Sequence, residues 1–235
     1  MPYGDRLKTK HQLPQYIAEF IGTFFMMFFG CGSMILAQTN PAYNGSFIPI
    51  IWGGAVAIMI YSVGHISGAH FNPAVTVAFW STGRFPLKRV PGYIISQIAG
   101  ALSASILHLF IWGNEHGFGS TRMSVFMSGG FVVEIVISFA LMFVIMSVAT
   151  DSRAVGELAG IAIGSTVTLA AFVAGPLTNA SMNPARSIAP AILTGDFSVL
   201  WIYLIAPFIG TILGAKVYDW IRCYRDDEAS GPGCC

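Results

Sequence analysis

Apolar residues fall into six long runs, near residues 15–37, 48–67, 91–112, 129–150, 157–175 and 199–221, with short polar stretches between them. Each run is about the length a helix needs to cross a bilayer core, roughly 20 residues. Two shorter segments lie between runs two and three and between runs five and six. They open on Asn72-Pro73-Ala74 and Asn183-Pro184-Ala185, each after a Gly/Ala/Ser-rich apolar stretch. Asn is a good N-cap, and Pro at the first helical position loses no hydrogen bond, so each string predicts a helix start. At about ten residues and 1.5 Å per residue neither segment crosses a membrane. Both are expected to be re-entrant half-helices.

A helix that starts inside a bilayer presents unpaired N–H groups and a positive dipole end. Such an end is tolerated only if it is buried in protein or lines water. The chain also repeats. Glu19 matches Glu134; Gly64, Ser67 and Ala69 match Gly175, Thr178 and Ala180; Tyr93, Gln97 and Gly100 match Tyr203, Pro207 and Gly210. The offset drifts from 115 to 111 to 110 residues. With three spans per half, the halves must insert upside down relative to each other, which puts a functional site near the midplane. The expected fold is an all-α membrane protein, with six transmembrane helices and two half-helices in one domain over 1–235. The repeats cover about 15–112 and 129–221, and 222–235 form a cytoplasmic tail.

Composition agrees: 54% of the 235 residues are hydrophobic and 10% charged, against about 25% charged in soluble chains. A net charge of +1 gives no basic surface for nucleic acid. No secretory leader pattern precedes the first run. Cys31, Cys223, Cys234 and Cys235 lack metal-ligand spacing and imply no disulfide framework. The Cys234-Cys235 ending suits lipidation, a plain tail or an engineered remnant equally. Arg6, Lys8, Lys10, Arg84, Lys88, Arg89, Arg153, Arg222 and Arg225 fall on one side of the alternating spans, and Arg122 is the clear basic residue on the other. The positive-inside rule then makes both termini cytoplasmic.

Two Asn-Pro-Ala strings in an inverted repeat, the run Ser62-Val63-Gly64-His65-Ile66-Ser67-Gly68-Ala69-His70-Phe71-Asn72-Pro73-Ala74-Val75-Thr76, and Asn183-Pro184-Ala185-Arg186-Ser187 resemble the aquaporin (major intrinsic protein) family over about 15–221. Thr150-Asp151-Ser152-Arg153 and Ala180-Ser181-Met182 before the second motif are similar to its nodulin-26-like branch and microbial relatives. The resemblance implies a passive channel for water and small uncharged solutes such as glycerol that excludes protons and ions. It also implies a homotetramer in contact with lipid, in the cell membrane, with no cofactor. Its narrow point carries over to Trp52, Ala171, Ala180 and Arg186, by their distances from the two motifs. Water-selective members have His where this chain has Ala171. Glycerol facilitators have Asp where it has Ser187, and longer outer loops than 113–128. A water-selective channel and a metalloid-acid or urea channel therefore stay open as alternatives.

The residues carry the same reading on their own terms. An Arg at helix-centre depth costs about 2.5–3.5 kcal/mol on insertion scales, so Arg186 needs a wet path and carbonyl partners. Asn72 and Asn183 can cap their half-helices and also offer amide N–H groups to a pore. The backbone carbonyls of Gly68, Ala69, His70 and Phe71, and of Asn179, Ala180, Ser181 and Met182, are expected to line it. Glu19 and Glu134 are expected to accept N–H groups from these loops rather than relay protons. His65 is expected to be buried and hydrogen-bonded, and His70 to face the cytoplasmic vestibule. Gly160, Gly164, Gly210 and Gly214 allow close helix approach. A coupled transporter would need a free carboxylate beside an Asn-Pro-Ala string, and none is there. An enzyme would need a nucleophile–base pair, and a structural junction protein has no use for Arg186.

Overall fold

The computed structural model describes residues 12–114, 116–150 and 156–222. Six helices are long and apolar enough to span a membrane: α1 (Leu13–Thr39), α2 (Ile48–Ser67), α4 (Val90–Trp112), α5 (Met127–Thr150), α6 (Ala159–Thr178) and α8 (Leu200–Ile221). Two short helices, α3 (Pro73–Ser81) and α7 (Pro184–Thr194), begin at the Asn-Pro-Ala strings. Asn72 and Asn183 are extended, with φ of −154° and −148°. Their side-chain oxygens accept from the N–H groups of Ala74 and Ala185. The two half-helices run about 14 and 16 Å at 1.5 Å per residue, half the depth of a hydrocarbon core. Arg6, Lys8, Lys10, Arg153, Arg225, Cys223, Cys234 and Cys235 lie outside the described residues.

The halves interlock. Within them α1 packs on α2 and α4, and α5 on α6 and α8. Across them α2 packs on α6, α3 on α8 and α7 on α4. Glycine makes these crossings possible. A Cβ on Gly53 of α2 would lie 2.2 Å from the carbonyl oxygen of Gly164 on α6, and one on Gly164 would lie 2.5 Å from that of Gly53. The repeat recurs at this level. A Cβ on Gly100 would meet Phe20 O at 2.4 Å, and one on its counterpart Gly210 would meet Ile135 O at 2.3 Å. Gly214 packs on the Phe139 carbonyl in the same way, whereas Gly160 meets the ring of Tyr61. Backbone contact at this distance replaces hydrophobic burial as the adhesive between helices in lipid. The outer surface carries exposed Phe25, Phe29, Ile95, Phe110, Leu169 and Val173, the face expected of a chain whose solvent is hydrocarbon.

Candidate functional site

Four non-helical residues at membrane depth precede the capping Asn of each half-helix, and these four carry most of the backbone strain. Non-glycine residues with positive φ include Ala69 (53°), Phe71 (50°), Asn179 (59°), Ala180 (44°) and Met182 (54°); Gly68 is at 92°. Each such conformation costs on the order of 1–3 kcal/mol and persists only where surrounding contacts over-determine it. Two fully buried acids supply those contacts. Glu19 accepts from Ser67 Oγ (2.6 Å), His70 N (2.9 Å), Phe71 N (2.7 Å) and Gln97 Nε2 (2.8 Å). Glu134 accepts from Thr178 Oγ1 (2.6 Å), Ser181 N (2.9 Å) and Met182 N (2.9 Å). Tyr93 and Tyr203 donate to the carbonyls of Ser67 and Thr178, both at 2.8 Å. One asymmetry is Gln97, whose counterpart Pro207 has no donor to give.

The loops also grip each other. Asn72 Nδ2 donates to Met182 O at 2.7 Å, and Asn183 Nδ2 donates to Phe71 O at 2.9 Å. One amide hydrogen of each Asn is thus committed across the repeat, and a second is left over on each. The carbonyls of Phe71 and Met182 accept from the asparagines. Gly68, Ala69, His70, Phe71, Asn179, Ala180, Ser181 and Met182 all border one cavity of about 1060 Å³. Both Asn side chains border it too.

That cavity is lined by Tyr61, His65 and Glu157, and also by Trp52, Ala171, Ala180 and Arg186. Arg186 is 2% exposed. Its Nη1 donates to Gly119 O at 2.7 Å, and its Nη2 lies 3.4 Å from Met34 Sδ. Its Cζ stands 5.1 Å from the centre of the Trp52 ring, so the indole meets a cation face-on. Ala171 and Ala180 add only methyl groups to the lining. Ser187 Oγ lies 2.6 Å from Ser181 Oγ.

Two histidines differ from expectation. His65 is exposed and borders the cavity, on the side of the last turn of α2 opposite the buried Ser67. His70 borders the cavity, but its ring is buried against Phe79, Phe85 and Tyr93, with Nδ1 3.1 Å from Thr76 Oγ1. Gly119 and Met34 were not legible in the sequence as partners of Arg186, because no motif marks either. Ser67, Thr178, Tyr93 and Tyr203 carried a signal, their repeat spacing, but not one that named their role.

The chain matches the family model described as major intrinsic protein over residues 6–218. It is 48% identical over 223 residues to Aquaporin NIP1-1 of Arabidopsis thaliana, covering 91% of this chain and 75% of that protein. It is 48% identical over 231 residues to Nodulin-26 of Glycine max, covering 97% and 84%. Among solved structures, the aquaglyceroporin from Plasmodium falciparum superposes with a TM-score of 0.79 at 27% identity, covering 91% of this chain and 98% of that one.

Proposed function

The chain belongs to the major intrinsic protein family, and from that premise we propose how its own residues sort what passes. It is an integral multi-pass membrane channel for water and small solutes, and not an enzyme. In our reading one domain, 1–235, carries one path, and the path narrows at Trp52, Ala171, Ala180 and Arg186. Two methyl groups and an indole face a guanidinium there. A small polyol fits such a ring, with its carbon side on the alanines and its hydroxyls on Arg186. Water passes the same ring. The single observation behind this reading is that Ala171 and Arg186 line the same cavity, into which an imidazole at position 171 would reach further than a methyl group.

Protons are excluded at the midpoint. The spare amide hydrogens of Asn72 and Asn183 both point a passing water's lone pairs at protein, so that water cannot accept from its neighbour. The positive ends of α3 and α7 meet at the same place and oppose cations. Neutral solutes cross by exchanging water for the loop carbonyls of Gly68, Ala69, His70, Phe71, Asn179, Ala180, Ser181 and Met182.

Both termini are assigned to the cytoplasm of a cell membrane, with four copies assembling in lipid. Arg84 pairs with Asp219 at 2.6 Å, so the basic loop after α3 and the end of α8 share a side. Arg122 N donates to Asn179 Oδ1 at the other end of the fold. Stopped-flow swelling of proteoliposomes in glycerol, urea and boric acid tests the solute reading. Glycerol flux well above protein-free liposomes supports it; water flux alone would make the chain water-selective. Chemical cross-linking in native membrane checks the tetramer.

A further inference from the structure

A guanidinium has five N–H donors, and what binds each one decides what it can offer a solute. In Arg186 one Nη1 hydrogen is taken by a strong acceptor, the Gly119 carbonyl at 2.7 Å. The Nη2 side meets a thioether, Met34 Sδ at 3.4 Å. Sulfur is a weak acceptor, and Met34 is only partly buried, on the outer half of α1. Nη2 carries two hydrogens; a thioether draws on one of them only weakly, so the nitrogen is held in place and still donates to a hydroxyl or carbonyl oxygen of a solute.

Resting on the channel reading above, we propose that Met34 is a specificity-determining residue: its thioether sets how readily Arg186 Nη2 donates to a passing solute. It is a positioning residue, acting through the guanidinium. The physical consequence is graded. With no acceptor at position 34, neither Nη2 hydrogen is drawn toward α1, and solutes rich in acceptor oxygens gain. With a carbonyl at position 34, one Nη2 hydrogen is committed and the guanidinium is pulled toward α1, so those solutes lose. Water, which sheds fewer partners on entering the ring, changes less than glycerol or urea.

The test compares Met34→Leu, which keeps size and removes the acceptor, with Met34→Gln, which brings a carbonyl of similar reach. Purified full-length channel is reconstituted, and glycerol and urea permeability are each divided by water permeability. One net hydrogen bond corresponds to about a two- to tenfold change in rate. The expected result is a ratio two- to tenfold above wild type for Met34→Leu and below wild type for Met34→Gln. Ratios that stay at the wild-type value, or that move the same way in both variants, overturn the proposal, because loss of packing alone has no reason to change sign. Met34→Ile serves as a second acceptor-free variant if Met34→Leu does not reconstitute. Should wild type pass water but neither solute, the polyol reading fails by itself. Met34 is then judged on the activation energy of water flux, which must shift in opposite directions in the Leu and Gln variants or the proposal falls.

Discussion

Glu134→Gln isolates the force that holds the second re-entrant loop. The carboxylate has three donors around it, the Thr178 hydroxyl and the N–H groups of Ser181 and Met182. All three suit a group that only accepts. An amide of the same shape keeps one oxygen, which can serve Thr178 and Ser181 as Oε1 does now. Its NH₂ then faces the Met182 N–H, donor against donor, at a fully buried position. Losing one hydrogen bond to a charged acceptor costs about 1.5–3 kcal/mol, roughly ten- to a hundredfold in the folded-to-unfolded ratio. The damage should spread across the repeat. Met182 sits at φ 54°, and its carbonyl is the acceptor for Asn72 Nδ2 at 2.7 Å. When the N–H on one side of that residue is released, the strained backbone can relax and the carbonyl turns. The variant should show a lower thermal midpoint in detergent and reduced, not abolished, water flux per folded channel. Flux in wild type and variant should show the same indifference to an imposed pH gradient. Wild-type stability in the variant would refute the loop-clamp reasoning. Uphill solute accumulation driven by a pH gradient in wild type would refute it more deeply, since it would make the acids a relay.

Ala171→His should lower glycerol flux about ten- to a hundredfold while water flux falls far less, because one clash or unpaired polar contact at the ring is worth about 1–3 kcal/mol; equal losses in parallel swelling assays would remove Ala171 from the constriction. Arg186→Val should keep water flux and raise the leak of protons or small cations, read with a trapped pH dye; an unchanged leak in a folded, conducting variant counts against the positive barrier. Gly53→Val should fail to fold or assemble, since even a Cβ there lies 2.2 Å from the Gly164 carbonyl and overpacking costs about 1–3 kcal/mol or more; a monodisperse, conducting Gly53→Val on size exclusion would show that the crossing can widen.

Spans and half-helices were readable because each follows from local chemistry: apolar length for the six, an Asn cap followed by Pro for the two. The ends were less so. The fifth run was expected to stop at residue 175, before Pro176, yet α6 continues to Thr178. Pro lacks only one helical donor, and the Thr178 hydroxyl is drawn to Glu134 at 2.6 Å, which sustains one more turn. Repeat spacing put Ser67 with Thr178 and Tyr93 with Tyr203, but their hydrogen bonds exist only once α1 and α5 stand beside the loops. Arg186 could be marked as needing partners by its depth. Its partners could not be named, because Gly119 is 67 residues away and Met34 is 152, and both are ordinary residues in their own neighbourhoods. His65 was misjudged for a related reason. Whether the last turn of a helix faces packing or an aqueous mouth depends on where the next helix passes.

The central claim is that one path passes water and small neutral solutes and blocks protons. Wild-type channel in liposomes, loaded with a pH-sensitive dye and exposed in turn to sucrose, glycerol and a pH step, tests all three parts together. Fast shrinkage in sucrose is expected, with re-swelling in glycerol well above protein-free vesicles and a pH step that decays no faster than in those vesicles. A pH step that collapses as quickly as water moves would contradict the mechanism at Asn72, Asn183 and Arg186.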